Sequence, residues 1–204
     1  MSSHYLDIAT TPSVAAAQTR YNGKARPAAE GSGGHDKLGP NEVAFIQSME
    51  GFYLGTVSET GWPYIQYRGG APGFLRVLAA DRIGFADFAG NRQYLTTGNL
   101  NANQKVALFL MDYANRARLK VLGHATIVDP NDDEVLARVL TVPDYRAKVE
   151  RLVEIRVEAF DWNCSRHIMP RFSATDVAAA LAVRDQRIAE LTAEIERLRG
   201  SHTS

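Results

Sequence analysis

Two segments near the middle of the chain decide how it folds: Tyr64-Ile65-Gln66-Tyr67-Arg68-Gly69-Gly70 and Phe85-Ala86-Asp87-Phe88-Ala89-Gly90-Asn91-Arg92-Gln93. Each reads as a strand that runs into glycine. Glycine lets a ligand approach the backbone, and guanidinium and amide groups hold phosphate and ring oxygens. The two segments therefore predict a cradle for a phosphorylated cofactor, with donors at Arg68, Asn91, Arg92 and Gln93. These residues alone also allow a purely structural interpretation. In it, the glycine pair forms a loop or bulge and the arginines are solvated charges.

The surrounding sequence is rich in strand patterns that are divided by Gly, Pro, Asp and Asn turns. Six strands in about 75 residues predict a barrel. A helix is predicted from Gly39, another over 132–140 with Asn131 or Asp129 as its cap, and a further strand over 151–160. The six predicted strands are Phe52–Val57, Tyr64–Gly69, Phe74–Ala79, Ile83–Asp87, Val106–Asp112 and Arg116–Val128.

Five motifs follow one another along the chain, and their order is informative about the fold. They are the turn Gly61-Trp62-Pro63, the F-x-x-x-x-G-[SN]-R-[KQ] segment over 85–93, the apolar strand 105–111, the long strand 116–125 and the segment Trp162-Asn163-Cys164-Ser165-Arg166-His167-Ile168-Met169-Pro170-Arg171-Phe172. In this order, from about Gly39 to Phe172, the chain resembles the pyridoxamine-phosphate-oxidase-like, FMN-binding split-barrel superfamily. The last segment resembles a W-N-C-x-x-H-I-x-P-R-F signature of one branch of that superfamily.

The resemblance implies a flavin site. Arg92 and Gln93 would hold the FMN phosphate, aided by Asp87 or its backbone, although a carboxylate departs from the hydroxyl residue usual there and would repel phosphate. The ring and ribityl chain would pass along Gln66, Tyr67, Arg68, Gly69 and Gly70. True pyridoxamine phosphate oxidases carry cations where this chain has Gln66 and Ala71, so vitamin B6 oxidation is not expected.

Further site residues also follow from the resemblance. Arg118 falls where the family offers an amide to the flavin, and a guanidinium there would stabilise negative charge on the ring; a strand-face ion pair is the alternative. Trp162 or Asn163 would contact the ring. Arg171 would reach its polar edge or the substrate, and His167 is a candidate proton donor. The alternative for this segment is a histidine and a cysteine that pack a strand–helix corner. Cys164 with His167 is too few ligands for zinc, so no metal is expected.

The implied protein is an FMN-dependent oxidoreductase that acts on a small organic substrate, built as a homodimer with flavin at the subunit interface. The alternatives are a non-catalytic flavin-binding or carrier protein and a relative that binds a deazaflavin or haem. The chain has 204 residues, of which 45% are hydrophobic, which is enough for one compact domain with appendages.

Composition excludes several other classes. The 23 basic residues balance 23 acidic ones, so no net field draws the chain to nucleic acid or to an anionic membrane. No apolar run is long enough to cross a bilayer, one cysteine allows no intrachain disulfide, and no secretion signal is recognised at the N-terminus. A cytoplasmic protein is therefore expected.

The predicted organisation has three parts: a flexible N-terminal arm over 1–38 with a short helix at 14–18 and a glycine-rich stretch at 31–34, a split-barrel domain over 39–173, and a C-terminal helix over 174–204. In that helix the apolar residues alternate steps of four and three, which is typical of a coiled-coil seam. Arg184 interrupts the seam, and charged residues flank it. A single amphipathic helix docked on its own barrel is the alternative. The seam consists of Val177, Leu181, Arg184, Ile188, Leu191, Ile195 and Leu198.

Overall fold

The structure is a computed structural model that describes residues 3–27, 34–90, 92–143, 145–162 and 165–201. It divides into two compact units, one formed by 1–112 with 117–165 and the other by 113–116 with 166–204. None of the described helices is both long and apolar enough to cross a membrane. The helices are α1 Ser3–Ala9, α2 Pro12–Asn22, α3 Pro40–Gln47, α4 Leu95–Ala102, α5 Glu134–Leu140 and α6 Ala174–Ser201.

The first unit is built on one antiparallel sheet of seven strands in the order β2-β1-β5-β6-β7-β4-β3. The predicted antiparallel barrel strands with flanking helices are confirmed, and most strand bounds agree within two residues. The strand predicted over 74–79 begins later, because the chain is still in a turn there, in which the Phe74 N–H donates to the Ala71 carbonyl at 2.9 Å. The strands are β1 Gly51–Val57, β2 Pro63–Gly69, β3 Arg76–Ala79, β4 Arg82–Phe88, β5 Lys105–Asp112, β6 Ala117–Val128 and β7 Val149–Trp162.

Alternating side chains explain how the sheet forms its core. In β1, Phe52, Leu54 and Thr56 are buried while Tyr53 and Val57 face outward. Each fully buried aliphatic or aromatic side chain contributes about 1.5–3 kcal/mol relative to exposure. The same alternation in β5 and β6 completes one continuous core, whose largest members include Phe52, Phe74, Phe85, Leu54, Leu108, Leu110 and Leu119.

The register between β6 and β7 shifts at Leu122 and Gly123, which marks a bulge. A Cβ atom at Gly123 would lie 2.5 Å from the carbonyl oxygen of Arg156. Glycine is therefore required for the two backbones to approach at this bulge, where the strand bends and its twist increases.

The helix α3 begins as predicted. Gly39 is its N-cap, Pro40 is its first residue, and the Glu42 carboxylate accepts a hydrogen bond of 3.0 Å from the Gly39 backbone N–H. The cap predicted for α5 is wrong: Asp133 accepts from the Leu136 N–H at 2.8 Å, whereas Asp129 accepts from the Asn131 N–H in the preceding turn.

The N-terminal segment has more helix than the sequence pattern predicts. In place of one short helix at 14–18, the structure has α1 and α2, and α2 is capped by Thr11 and ends at Gly23 in the left-handed region. The α1 residues His4 and Tyr5 contact Glu158 and Lys120 on the outer face of the sheet. These tertiary contacts explain why a short, weakly patterned segment is helical. Residues 31–33 of the glycine-rich stretch lie outside the described part of the chain.

The second unit contains the β5–β6 turn over 113–116 and the helix α6. Ser173 and Asp176 form a reciprocal cap at the start of α6: the Ser173 N–H donates to the Asp176 carboxylate and the Asp176 N–H donates to the Ser173 hydroxyl, both at 3.0 Å. Hydrogen bonds from Ser173 lower the pKa of Asp176 below its ordinary value. The apolar seam residues on α6 are between 42% and 52% exposed.

Candidate functional site

A cleft opens where β2, the end of β4, the start of α4 and β7 meet. It holds about 380 Å³ of space, a volume that includes the part open to solvent. Side chains alternate between the two faces of β2, so Tyr64, Gln66 and Arg68 share one face, the face of their buried β1 partners Thr56, Leu54 and Phe52, and they line the cleft. The remaining lining residues are Phe88, Gly90, Arg92, Gln93, Tyr94, Leu95, Thr96, Thr97, Glu150 and Arg151.

The buried carboxylate of Asp87 organises one wall of this cleft. Asp87 is 4% exposed and lies on β4, in register with Arg151 on β7. Its Oδ2 accepts hydrogen bonds from Arg151 Nε at 3.1 Å and Nη2 at 2.8 Å, and its Oδ1 accepts a short hydrogen bond from Arg68 Nη1. A buried charge needs such partners, so one carboxylate fixes two guanidinium groups beside the cleft.

A second set of contacts holds Arg151 in place. Its Nη2 lies 3.1 Å from Glu150 Oε2, and its guanidinium stacks 5.0 Å from the ring centroid of Tyr94. The Tyr94 hydroxyl donates to Glu150 Oε1 at 2.8 Å. Burial lowers the pKa of Arg151, but hydrogen bonding and charge from Asp87, with help from Glu150 and Tyr94, outweigh that effect and raise the pKa above its ordinary value. Arg151 is therefore a permanent cation at this site.

The segment that enters α4 has an unusual backbone. Arg92 and Tyr94 have φ angles of 58° and 54°, in the left-handed region that residues other than glycine rarely adopt. Strain of this kind, about 1–3 kcal/mol per residue, concentrates at ligand sites. Both residues line the cleft, and the N–H groups of the first turn of α4 follow directly, an arrangement that suits an anion.

The amide of Gln66 is held by two hydroxyls. Gln66 Oε1 accepts from the Tyr64 hydroxyl at 3.1 Å and from Thr96 Oγ1 at 3.3 Å. The helix α4 is itself tied to β1, because Asn99 Nδ2 donates to Thr56 Oγ1 at 2.9 Å and both side chains are buried. These bonds connect the two sides of the cleft through uncharged groups.

The charges of the cleft favour an anionic ligand. The lining contains three arginines, at positions 68, 92 and 151, and one carboxylate, Glu150. With the carboxylate of Asp87 beside the cleft, the net charge is one positive charge. Arg68 Nε is also buried without a hydrogen-bond partner among the described residues. The expected repulsion of phosphate by Asp87 is offset, since its carboxylate is already bound by two arginines. The arginines, hydroxyls and N–H groups fit the phosphate and polyol end of FMN.

The two glycines of the predicted cradle have different surroundings. Tyr67, Gly69 and Asp87 line a depression that adjoins the cleft and shares Gln66 and Arg68 with it. A Cβ atom at Gly70 would lie 2.6 Å from Cγ of Phe74, and the Gly70 N–H donates to the Glu50 carbonyl at 3.0 Å. The packing of Phe74 therefore accounts for a glycine at position 70 without any ligand.

Two predicted ring contacts lie elsewhere in the first unit. Trp162, near the end of β7, donates from Nε1 to Glu42 Oε1 at 2.6 Å and packs edge-on against Phe45, 4.8 Å between centroids. It is thus bound to α3. Arg118 on β6 has its guanidinium 5.9 Å from the ring of Phe109, and its Nε is buried without a hydrogen-bond partner among the described residues.

The predicted catalytic residues belong to the second unit. His167 is exposed and has a φ angle of 63°, and the guanidinium of Arg171 lies 4.9 Å from the ring centroid of Tyr113. Their roles stay predictions. Asn91 and Asn163, which were predicted to bind the cofactor, lie outside the described residues.

Sequence reasoning missed Arg151, Glu150 and Tyr94. One signal was present, because a carboxylate at position 87 inside an apolar strand requires cationic partners. The sequence could not identify those partners. Arg151 is 64 residues away from Asp87, and only the pairing of β4 with β7 brings the two together.

These observations define a protein with an antiparallel seven-stranded sheet and an arginine-lined cleft between β2, β4, β7 and α4. A family model described as pyridoxamine 5'-phosphate oxidase matches residues 38–167, well over half of the chain. The chain belongs to this family, and the resemblance to its split-barrel superfamily is confirmed. No curated protein matches the chain.

Several solved structures are similar in part. HupZ from Group A Streptococcus is 15% identical, with 66% of this chain and 100% of that chain covered and a TM-score of 0.48. An FMN-binding protein from Syntrophomonas wolfei is 15% identical, with coverage of 60% and 86% and a TM-score of 0.45. The haem storage protein HutZ from Vibrio cholerae is 17% identical, with coverage of 61% and 94% and a TM-score of 0.42. These likenesses are too weak to assign a ligand.

Proposed function

We propose that this protein binds FMN in the arginine-lined cleft and catalyses a two-electron oxidation or reduction of a small organic substrate. The observation that carries the proposal is the pair of guanidinium groups that Asp87 holds beside the strained Arg92 segment. Membership of the pyridoxamine 5'-phosphate oxidase family supports the same reading.

The flavin would supply the redox chemistry, and the chain would supply binding and orientation. Arg92, with the N–H groups at the start of α4, would receive the phosphate. Arg68 and Arg151 would provide a fixed positive field beside it, and the hydroxyl-bound amide of Gln66 would meet the polar chain. Because Asp87 and Glu150 already hold Arg151, little reorganisation would be needed on binding.

The flavin ring would need a second wall, which we assign to a partner subunit. The outer face of β1 and β2 is apolar: Ile65 is 69% exposed and Tyr67 is 58% exposed, with Tyr53 and Val57 beside them. Contiguous exposed apolar residues on a sheet face mark an interaction surface. A homodimer through this face would bury them, and because β2 is the edge strand and carries the cleft residues on its other face, the partner would lie next to the cleft.

The first experiment measures FMN affinity. We expect Arg92→Ala to weaken binding by about tenfold to a hundredfold, because a phosphate contact of this kind contributes about 1.5–3 kcal/mol. The matched control is Arg138→Ala, which removes another exposed arginine, on α5 and outside the cleft lining. Titration of the apoproteins by flavin fluorescence gives the dissociation constants. Equal constants for the two variants would remove Arg92 from the site.

A second candidate function is flavin binding without turnover. Among the described lining residues of the cleft, Glu150 is the single carboxylate, and it is already bound by Arg151 and by the Tyr94 hydroxyl. Reduction of the bound flavin by NADH or NADPH, followed by reoxidation with an organic acceptor, would support the enzyme. A flavin that none of these reagents reduces would favour the carrier.

Pyridoxamine phosphate is a useful negative substrate, because Gln66 and Ala71 stand where the vitamin B6 oxidases have cations. Its oxidation at an ordinary enzyme rate, about 1 per second or faster, would contradict this part of the proposal. If haem or a deazaflavin co-purified with the protein, that molecule and not FMN would be the ligand.

The dimer is tested by a matched pair of substitutions. Ile65→Glu and Val135→Glu each place a carboxylate at a side chain that is 69% exposed, the first on β2 and the second on α5. Sedimentation at micromolar concentration should show that Ile65→Glu weakens dimer association. The Val135→Glu chain should associate as tightly as the unmodified chain. An unaffected dimer in Ile65→Glu would place the interface elsewhere.

A further inference from the structure

The helix α6 lies beyond the region that the family model matches, which ends at residue 167. It is 28 residues long, far longer than the other described helices. Apart from Val183, its large apolar residues recur every three or four positions and form a single stripe. A helix of this length with a narrow apolar stripe is suited to pairing with another helix.

The stripe can be placed on a heptad. The a positions are Leu181, Ile188 and Ile195. The d positions are occupied by Val177, Arg184, Leu191 and Leu198. β-branched residues at a combined with leucine at d favour two parallel strands over three or four. The last two heptads, from Ile188 to Leu198, have this combination.

We infer that α6 forms a parallel, in-register, two-stranded coiled coil with α6 of a second copy of this chain. The inference goes beyond the proposed function, because it rests on residues outside the family region and outside the cleft lining. The partner helix is α6 of another copy, because the seam is self-complementary. When two copies pair in register, each a or d layer meets the same layer of the other helix.

Charges beside the seam agree with the parallel arrangement. Glu194 occupies a g position and Arg199 the following e position, so in a parallel pair Glu194 faces Arg199 of the partner subunit. Within one helix, Arg187 pairs with Glu190 at 2.9 Å and Arg197 pairs with Glu194. These pairs keep the flanks of the stripe charged, which limits burial to one partner helix.

Arg184 sets the register. It is the one polar residue in the a and d layers between Val177 and Leu198, and its guanidinium lies 3.2 Å from Asp185 at the adjacent e position. In register, each Arg184 lies in one shared layer and reaches its own Asp185 at the rim. A shift by one heptad would set Arg184 against Leu191 of the partner subunit and would also remove a terminal layer. A single polar core position specifies register in this way, at a cost in stability.

Three heptads are too short for a strong pair in isolation, since short helices are marginal in water. If the rest of the chain also dimerises, the tether raises the effective concentration of the two helices to roughly millimolar. The pair is therefore expected in the full-length protein, and the test uses the full chain.

Disulfide trapping measures pairing and orientation together. The native Cys164 is replaced by serine, and single cysteines are introduced as Ile195→Cys at an a position or as Ala193→Cys at the outer f position. A disulfide requires Cα atoms within about 7 Å. Parallel in-register helices meet this condition at position 195, whereas an antiparallel pair would set residue 195 against 184 of the partner, about 16 Å along the helix.

In a glutathione redox buffer, Ile195→Cys should form the covalent dimer at least about tenfold faster than Ala193→Cys, given the effective concentration of a tethered pair. Leu181→Cys should behave like Ile195→Cys. Equal rates at positions 195 and 193 would overturn the inference, as would rapid crosslinking between a Leu181→Cys chain and a Leu198→Cys chain, which only antiparallel helices allow. A trimer in sedimentation would also overturn it. Flavin affinity, measured on the same variants, should be unchanged, so failure of the coil is distinguishable from failure of the flavin site.

Discussion

Replacing Arg151 by methionine should damage both the fold and the flavin site. The change keeps the aliphatic stem but removes two hydrogen bonds to Asp87, the ion pair with Glu150 and the stacking on Tyr94. Asp87 stays buried, with Arg68 as its remaining partner among the described residues. Both consequences follow from one lost cation.

The magnitude can be worked from these contacts. Removing one partner of a buried ion pair costs about 3–5 kcal/mol. The cost is reduced here because the Arg151 side chain is 18% exposed and Asp87 keeps Arg68, so we expect about 2–4 kcal/mol. For a chain of this size that corresponds to a fall in Tm of roughly 5–15 °C. The loss of the net positive charge of the cleft should also weaken FMN binding by about tenfold or more.

The matched control is Lys120→Met. It breaks the Lys120–Asp161 ion pair of 2.9 Å, whose side chains are 19% and 5% exposed, almost the same burial as Arg151 and Asp87 at 18% and 5%. Urea unfolding should show at least as large a loss of stability for Lys120→Met, because Asp161 keeps no second ion-pair partner among the described residues, whereas flavin titration below the transition should show weaker binding for Arg151→Met alone. Equal FMN affinity in the two variants would refute the reasoning and leave Arg151 as a purely structural ion pair.

Three further outcomes are expected. Gly70→Ala should lower the free energy of unfolding by about 1–3 kcal/mol, measured by urea, because its Cβ would meet the ring of Phe74; no change would show that the ring has room to move. Arg184→Leu should raise the thermal stability of the C-terminal helix and also permit assemblies larger than a pair, which sedimentation would detect, since it replaces a polar core layer by an aliphatic one. The Ser173–Asp176 cap lowers the pKa of Asp176 in the folded helix, so its contribution is present above the unfolded pKa of about 3.9 and is lost as the pH falls through the folded pKa. Circular dichroism of Asp176→Asn against the unmodified chain should therefore differ at neutral pH and converge in acid.

Local pattern was sufficient for much of the fold. Strands such as β1 and β5 alternate buried and exposed residues with period two, and their bounds were predicted within a residue because that pattern is written in consecutive positions. The start of α3 was also predicted correctly, from Gly39, Pro40 and Glu42. The helix α4 was missed, since Thr96, Thr97, Gly98 and Asn99 have weak helix propensity and the helix depends on burial and on the Asn99–Thr56 bond.

For the site, the sequence alone determined which stretches carry its donors, because Arg68, Arg92 and Gln93 lie in motifs that can be recognised along the chain. The tertiary structure decided what those donors do. It turned Asp87 from an expected source of repulsion into the acceptor that fixes two arginines, and it brought in Arg151 from another strand. It also engaged Trp162 with α3. The physical reason is that ion pairing and burial depend on distances between residues far apart in sequence, and strand pairing sets those distances.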